Sequence, residues 1–315
     1  MMSLTYLFRW HLSRIVTSLM LCCICASSYA TTIVLDNQDD PGEGLNDTTP
    51  AAPVGGNNGT TVGEQRTIVF EYASQLLEGV IDASIPIVIA AQFNPLSCST
   101  GSGTIGSAGA NGWYVNPPGA PISNTYYPIA LANSFAGSDL NSTAAEISAT
   151  FNSDVGTPGC LTSKSYYYGL DGNVPGSDID FLSLILHEII HGLGFQTLVN
   201  LNTGEKINGY NDSFMRHLED HSIDKNWGDT SPPPQAMSDS ERVTSATDNG
   251  DLHWTGSNVT ANLGSLTGGV DQGHMQMYAP TTLAGGSSVS HFNANASPNE
   301  LMEHIPVSYT HLTLP

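Results

Sequence analysis

One stretch constrains the rest of the chain: Ser177–Phe195, SDIDFLSLILHEIIHGLGF, which holds the HExxH spacing His187-Glu188-Ile189-Ile190-His191 inside an apolar run. Leu182, Ile185, Leu186, Ile189 and Ile190 cover most of a helix circumference, so the segment predicts a buried helix. Residues four apart share one helical face, which places His187 and His191 side by side. Both imidazoles can then reach one Zn2+ at about 2.0–2.1 Å, with Glu188 positioned as general base toward an activated water. Polar groups in such apolar surroundings need partners, and a metal supplies one. Ser177 with Asp180 reads as a capping-box-like start, and Gly192 and Gly194 read as the end.

The chain's beginning assigns a compartment. Met1–Ala30 carries Arg9 and Arg14, then an apolar run from Ile15 to Ala26, then Ser28-Tyr29-Ala30 as a small-x-small site. That is the pattern of a secretory signal peptide over 1–30, removed at about Ala30. The run is short of the ~20 residues of a membrane span, and no later segment qualifies. The mature chain is therefore expected to be secreted or periplasmic, with no membrane span. Cys22, Cys23 and Cys25 leave with the leader, so Cys98 and Cys160 are expected to form one disulfide. Lys and Arg total 8 against 29 Asp and Glu, a net charge of −21, which argues against nucleic acid as a partner. The acidity also suits structural Ca2+, although in DNQDDPGEG Pro41 stands where an EF-hand loop wants glycine.

Between leader and helix the pattern is α+β. Thr31–Gly63 reads as an entry arm. Glu64–Val80 has Ile68, Val69, Tyr72, Ala73, Leu76, Leu77 and Val80 at helical spacing, and Ser84–Phe93, SIPIVIAAQF, reads as a buried strand. Gly101–Gly112 reads as a Gly/Ser loop. Strands are expected at Trp113–Val115, Tyr127–Ala132 and Ile147–Phe151, one of them at a sheet edge, and SYYYGL at Ser165–Leu170 leads to the HExxH helix. Helices packed on a twisted mixed sheet are the expected arrangement. After Phe195 the chain turns polar and loop-rich, with short helices expected at Asp212–His221 and Ser238–Ala246, the latter opened by a Ser238…Glu241 capping box.

A catalytic zinc wants a third protein ligand and an open position. The compact metzincin motif HExxHxxGxxH matches through Gly194, but its last position holds Thr197. Glu205 and Glu219 are available carboxylates, and His217 and His221 form a second i,i+4 pair. The favoured ligand is His291, because Asn299-Glu300-Leu301-Met302 follows it. In these two anchors, Ser177–Phe195 and Gly285–Glu303, the chain resembles the leishmanolysin-like branch of the metzincins, in its exported bacterial type.

The resemblance implies a zincin-like fold with a long active-site helix and a secreted zinc endopeptidase acting on protein or peptide substrates. Carried over by position, it implies His187, His191 and His291 as zinc ligands, Glu188 as catalytic base, Gly194 as turn glycine and Met302 as Met-turn residue. Two departures stand: Phe292 occupies a position where tryptophan is common, and 196–285 reads as an insertion. The catalytic domain is expected over 31–306, with an N-terminal subdomain to about 195, and truncated. Val307–Pro315 resembles a translated sequencing adapter and reads as a non-native tail. Two rival readings are a catalytically inactive, zinc-stabilised adhesion or surface protein on the same scaffold and a zinc hydrolase of non-peptide substrates. The base-bearing Glu188 argues against the first.

Overall fold

A computed structural model describes residues 31–142 and 144–304, so the expected leader (1–30) and tail (307–315) lie outside the described residues. In chain order the first part holds β1 (Ile33–Asn37), α1 (Val62–Glu78), β2 (Ile87–Asn94), β3 (Gly106–Ala110), β4 (Trp113–Val115), β5 (Thr125–Pro128), α2 (Ile129–Ala136), β6 (Ile147–Asn152), β7 (Tyr166–Tyr167), β8 (Ile179–Asp180) and α3 (Phe181–Gly192). The second part holds β9 (Asn211–Asp212), β10 (Leu218–Asp220), β11 (Lys225–Asn226), α4 (Asp239–Ser245), β12 (Leu252–Trp254), α5 (Ser257–Asn262), β13 (Val270–Asp271) and β14 (His274–Gln276). The fold is mixed α+β, with several separate sheets and no closed barrel among the described residues.

The principal sheet has the order β1-β2-β6-β3, parallel except for β3, which runs antiparallel to β6 and forms an edge. Along β2 the residues Ile87, Ile89, Ala91 and Phe93 are buried and alternate with more open neighbours, because successive strand side chains face opposite sides. Helix α1 is opened by a capping box between Thr61 and Glu64, and it turns Val69, Phe70, Ala73 and Leu77 into the same core. Phe93, Phe151, Tyr166 and Tyr168 surround Phe181 with ring centroids 5.1–5.6 Å away, which anchors the first residue of α3 over the sheet.

Several local expectations change. The arm from Thr31 supplies the parallel edge strand β1, and Asp39 there accepts from the Leu45 and Phe93 amides, spending its carboxylate on tying the arm to β2. The Gly/Ser loop contains β3, and Ile147–Asn152 is an interior strand. Tyr127–Ala132 splits at Pro128, whose extended conformation ends β5 before α2 begins. Asp212–His221 is not a helix: its carboxylates and carbonyls serve β9, a 3₁₀ turn at Met215–His217 and β10. The expected capping box at α3 is also absent, since Asp180 is the N-cap without a side-chain cap and Ile179–Asp180 pairs with β7. At α4 the Ser238–Glu241 capping box is present.

A second core, containing Met215, Leu218, Trp227, Met275, Met277 and Met302, lies around the sheet β11-β10-β12-β14-β13. Ile190 of α3 and Leu301 pack against both cores. The HExxH helix thus occupies the seam between them. No described helix is long and apolar enough to cross a membrane.

Candidate metal centre and active-site cleft

Helix α3 carries His187, Glu188 and His191 on the side facing a cleft of about 560 Å³, whose wall includes β3, His291 and Leu301. The helix ends where the sequence placed its glycines, by two different mechanisms. Gly192 is still helical, and a Cβ there would stand 2.4 Å from the Ile147 side chain, so it is a packing glycine. Gly194 has φ +110°, a left-handed value that L side chains rarely adopt. Around it Phe195 N–H donates to the Ile190 carbonyl and Gly194 N–H to the His191 carbonyl, the Schellman pattern. This turn brings the Phe195 carbonyl to 2.9 Å from His191 Nδ1.

The other two histidines are oriented in the same way. His187 Nδ1 lies 2.7 Å from the Leu301 carbonyl, and His291 Nδ1 lies 2.8 Å from the Ser287 carbonyl. A carbonyl can only accept, so each Nδ1 carries the proton and each Nε2 presents a lone pair. The three Nε2 atoms converge at 3.1, 3.1 and 3.2 Å from one another. Burial keeps the rings neutral: it lowers His187, and burial with the neighbouring imidazoles brings His191 to about 4 and His291 to about 3. Three lone pairs therefore face each other with no proton between them. A tetrahedral cation with metal–nitrogen distances of about 2.0–2.1 Å sets its ligands about 3.3–3.4 Å apart, close to this spacing. The donor set fits a zinc-type ion.

The segment carrying Met302 binds this trio together. Met302 is buried, its carbonyl accepts from Phe292 N–H beside His291, and the preceding Leu301 carbonyl holds His187. Phe292 itself meets Phe195 edge to face at 5.2 Å, filling the position noted for tryptophan.

Glu188 points under β3. A Cβ on Gly106 would stand 2.8 Å from Glu188 Oε1, so the strand passes directly over the carboxylate and glycine is what permits the approach. Burial pushes the Glu188 carboxyl up to about 8, opposed by the Ala108 backbone amide. A cation on the adjacent histidines favours its ionised form.

Thr197, where the compact motif places a third histidine, is committed elsewhere: its hydroxyl donates to Asp212 at 2.9 Å. Asp212 is fully buried and also accepts from the Leu198 and Met215 amides, which fixes the chain leaving α3. The alternative ligands fall outside the trio. Glu205 is exposed and bonded by Thr203, His217 lies against Trp254, and Glu219 and His221 are neighbours at 3.8 Å. Cys98 and Cys160 form a disulfide, with Cα atoms 5.1 Å apart. The sequence reading missed β3 and Gly106, because GSAGA has no side-chain pattern to mark a strand. It also missed His253, Asp271 and His274, which stand alone in sequence. No family model, curated protein or solved structure matches this chain.

Proposed function

We propose that this chain is a secreted, zinc-dependent endopeptidase of the metzincin type. The reading is carried by one observation: three neutral imidazoles present their Nε2 lone pairs to a single point, beside a buried carboxylate and beneath a free sheet edge. His187, His191 and His291 would hold a zinc ion, which when bound would supply Lewis acidity in the cleft. Glu188 would take a proton from the attacking water as the water oxygen bonds to the carbonyl carbon. The same carboxyl delivers the proton to the amide nitrogen as the C–N bond breaks.

Edge strand β3 gives the substrate its track. An extended peptide pairing with its free backbone groups would run through the cleft past Glu188, in the manner of strand addition. The small side chains of GSAGA leave that track open. Ser287 and Leu301 hold ligands through their carbonyls and so keep the opposite wall fixed.

The test is Glu188→Gln in the purified full chain, with zinc content and casein hydrolysis measured together. Zinc should stay at the unaltered level while hydrolysis falls by at least ~10²–10⁴-fold. Substantial remaining hydrolysis rejects Glu188 as the base, and an unaltered chain that neither holds zinc nor cleaves peptides rejects the enzyme.

A further inference from the structure

A second group of metal-ligating side chains stands apart from the trio. His221 follows β10, His253 lies on β12 and Asp271 ends β13, and one ligand atom from each lies within 4.8 Å of the others. The antiparallel registers bring them together, placing Asp220 opposite Leu252, His253 opposite Gln276, and Asp271 opposite His274. His221 and His253 stack with centroids 3.8 Å apart, and His274 Nδ1 stands 3.3 Å from His221 Nε2.

The cluster is unsatisfied as a hydrogen-bond network. His253 is 0% exposed, and its Nδ1 lies 2.8 Å from the Asp251 carbonyl. That contact fixes the proton on Nδ1 and leaves a lone pair on Nε2, which has no hydrogen-bond partner among the described residues. His221 Nδ1 is likewise buried and unpartnered. Buried polar atoms are nearly always paired, so two orphans in one cluster point to a missing ligand. His253 Nε2 lies 3.7 Å from Asp271 Oδ2, too far for a hydrogen bond but near the spacing of two donors on one ion. An imidazole with Nδ1 on a carbonyl and Nε2 free is also how each histidine of the trio is presented.

We propose that His221, His253 and Asp271, with His274 beside them, form a second site for a divalent transition-metal ion of the zinc type. Nitrogen donors select such an ion over Ca2+ or Mg2+. Its role is structural. The surrounding strands are two or three residues long, and one ion would link the end of β10 to β12 and to the β13–β14 hairpin. Asp271, with 45% of its side chain exposed, forms the mouth through which the ion enters.

The experiment counts zinc in the full chain after dialysis, by elemental mass spectrometry, in four proteins. The unaltered chain should hold two equivalents, Asp271→Asn and His221→Gln one each, and His191→Gln one, retained at the second site. Asp271 is a surface position, so that variant keeps the test open if the more buried His221→Gln does not fold. Adding Zn2+ to metal-stripped His191→Gln should raise its Tm, a response the His191→Gln/Asp271→Asn chain should lose. A His191→Gln chain that binds no zinc overturns the proposal, as does an Asp271→Asn chain with undiminished zinc. Loss of zinc in Asp271→Asn but not in His191→Gln would keep this site and reject the trio instead.

Discussion

His187, His191 and His291 owe their common direction to three backbone carbonyls, those of Leu301, Phe195 and Ser287. The HExxH spacing made two of these histidines legible in the sequence, and the downstream Met302 segment suggested the third. The carbonyl partners were not legible, because they come from three separate turns that meet only in the folded chain. Glu303, next to Met302, carries no signal of its own in the sequence, and it makes a test at this scale. It is buried, its Oε1 accepts from Glu300 N–H at 2.7 Å, and burial, with the Glu300 charge adding, pushes its carboxyl up to about 7. An ordinary glutamate carboxyl titrates at about 4.5, so between about 4.5 and 7 the folded chain holds a proton that the unfolded chain has released. Stability from this group is therefore full at low pH and lost as pH rises through that window, by on the order of 3 kcal/mol. Glu303→Gln keeps the acceptor but cannot ionise. Its Tm, compared with the unaltered chain at saturating zinc, should gain from pH 5 to about 7 and level off above it, and parallel curves would contradict the assignment.

Among the elements, those with side-chain patterns were read and those without were not. Helix α1 and strand β2 follow from apolar periodicity, and the capped helix α4 from Ser238–Glu241 reciprocity. Asp212–His221 has apolar residues at intervals that suit a helix, yet Asp212 draws the Met215 and Leu198 amides into a turn and the segment becomes β10. Strand β3 is the sharper case: GSAGA has little strand propensity, and pairing with β6 makes it a strand. Its glycine content has a local cause at Gly106, where Glu188 fills the space a side chain would take. Gly106→Ala should displace the carboxylate, because its nearest atoms would lie at 2.8–3.1 Å. A misplacement approaching 1 Å costs on the order of 10²-fold in rate, so kcat on a fluorogenic peptide should fall by about 10–100-fold with zinc content unchanged. An unaltered kcat would mean that Glu188 does not work from beneath β3.

At the scale of the whole molecule, two apolar cores meet along α3, and the histidine trio lies on the seam. The N-terminal core sets Glu188 against β3, while the second core supplies His291 and the Leu301 carbonyl, so the cleft exists only when both are formed. Such a division could be inferred from the change in composition after Phe195, but not which residues cross it, since Ile190 and Leu301 look like ordinary core positions. The Cys98–Cys160 disulfide bears on one wall of this cleft. Cys98 bridges to Gly103 at the approach to β3, and Leu161 N–H donates to the Ser99 carbonyl at 2.8 Å, so the bond ties that approach to the turn beyond β6. Its sequence separation of 62 implies a chain-entropy contribution of about 4 kcal/mol. Cys98→Ala/Cys160→Ala should lower unfolding stability by about 2–4 kcal/mol in urea at fixed zinc. The histidines and Glu188 lie outside the closed loop, so zinc content should hold. KM for an extended peptide should rise more than kcat falls, because β3 loses its anchor while the reacting groups keep theirs. Unchanged stability would show that the two thiols are not joined, and a stability loss with KM unchanged would show that β3 holds its place through β6 alone.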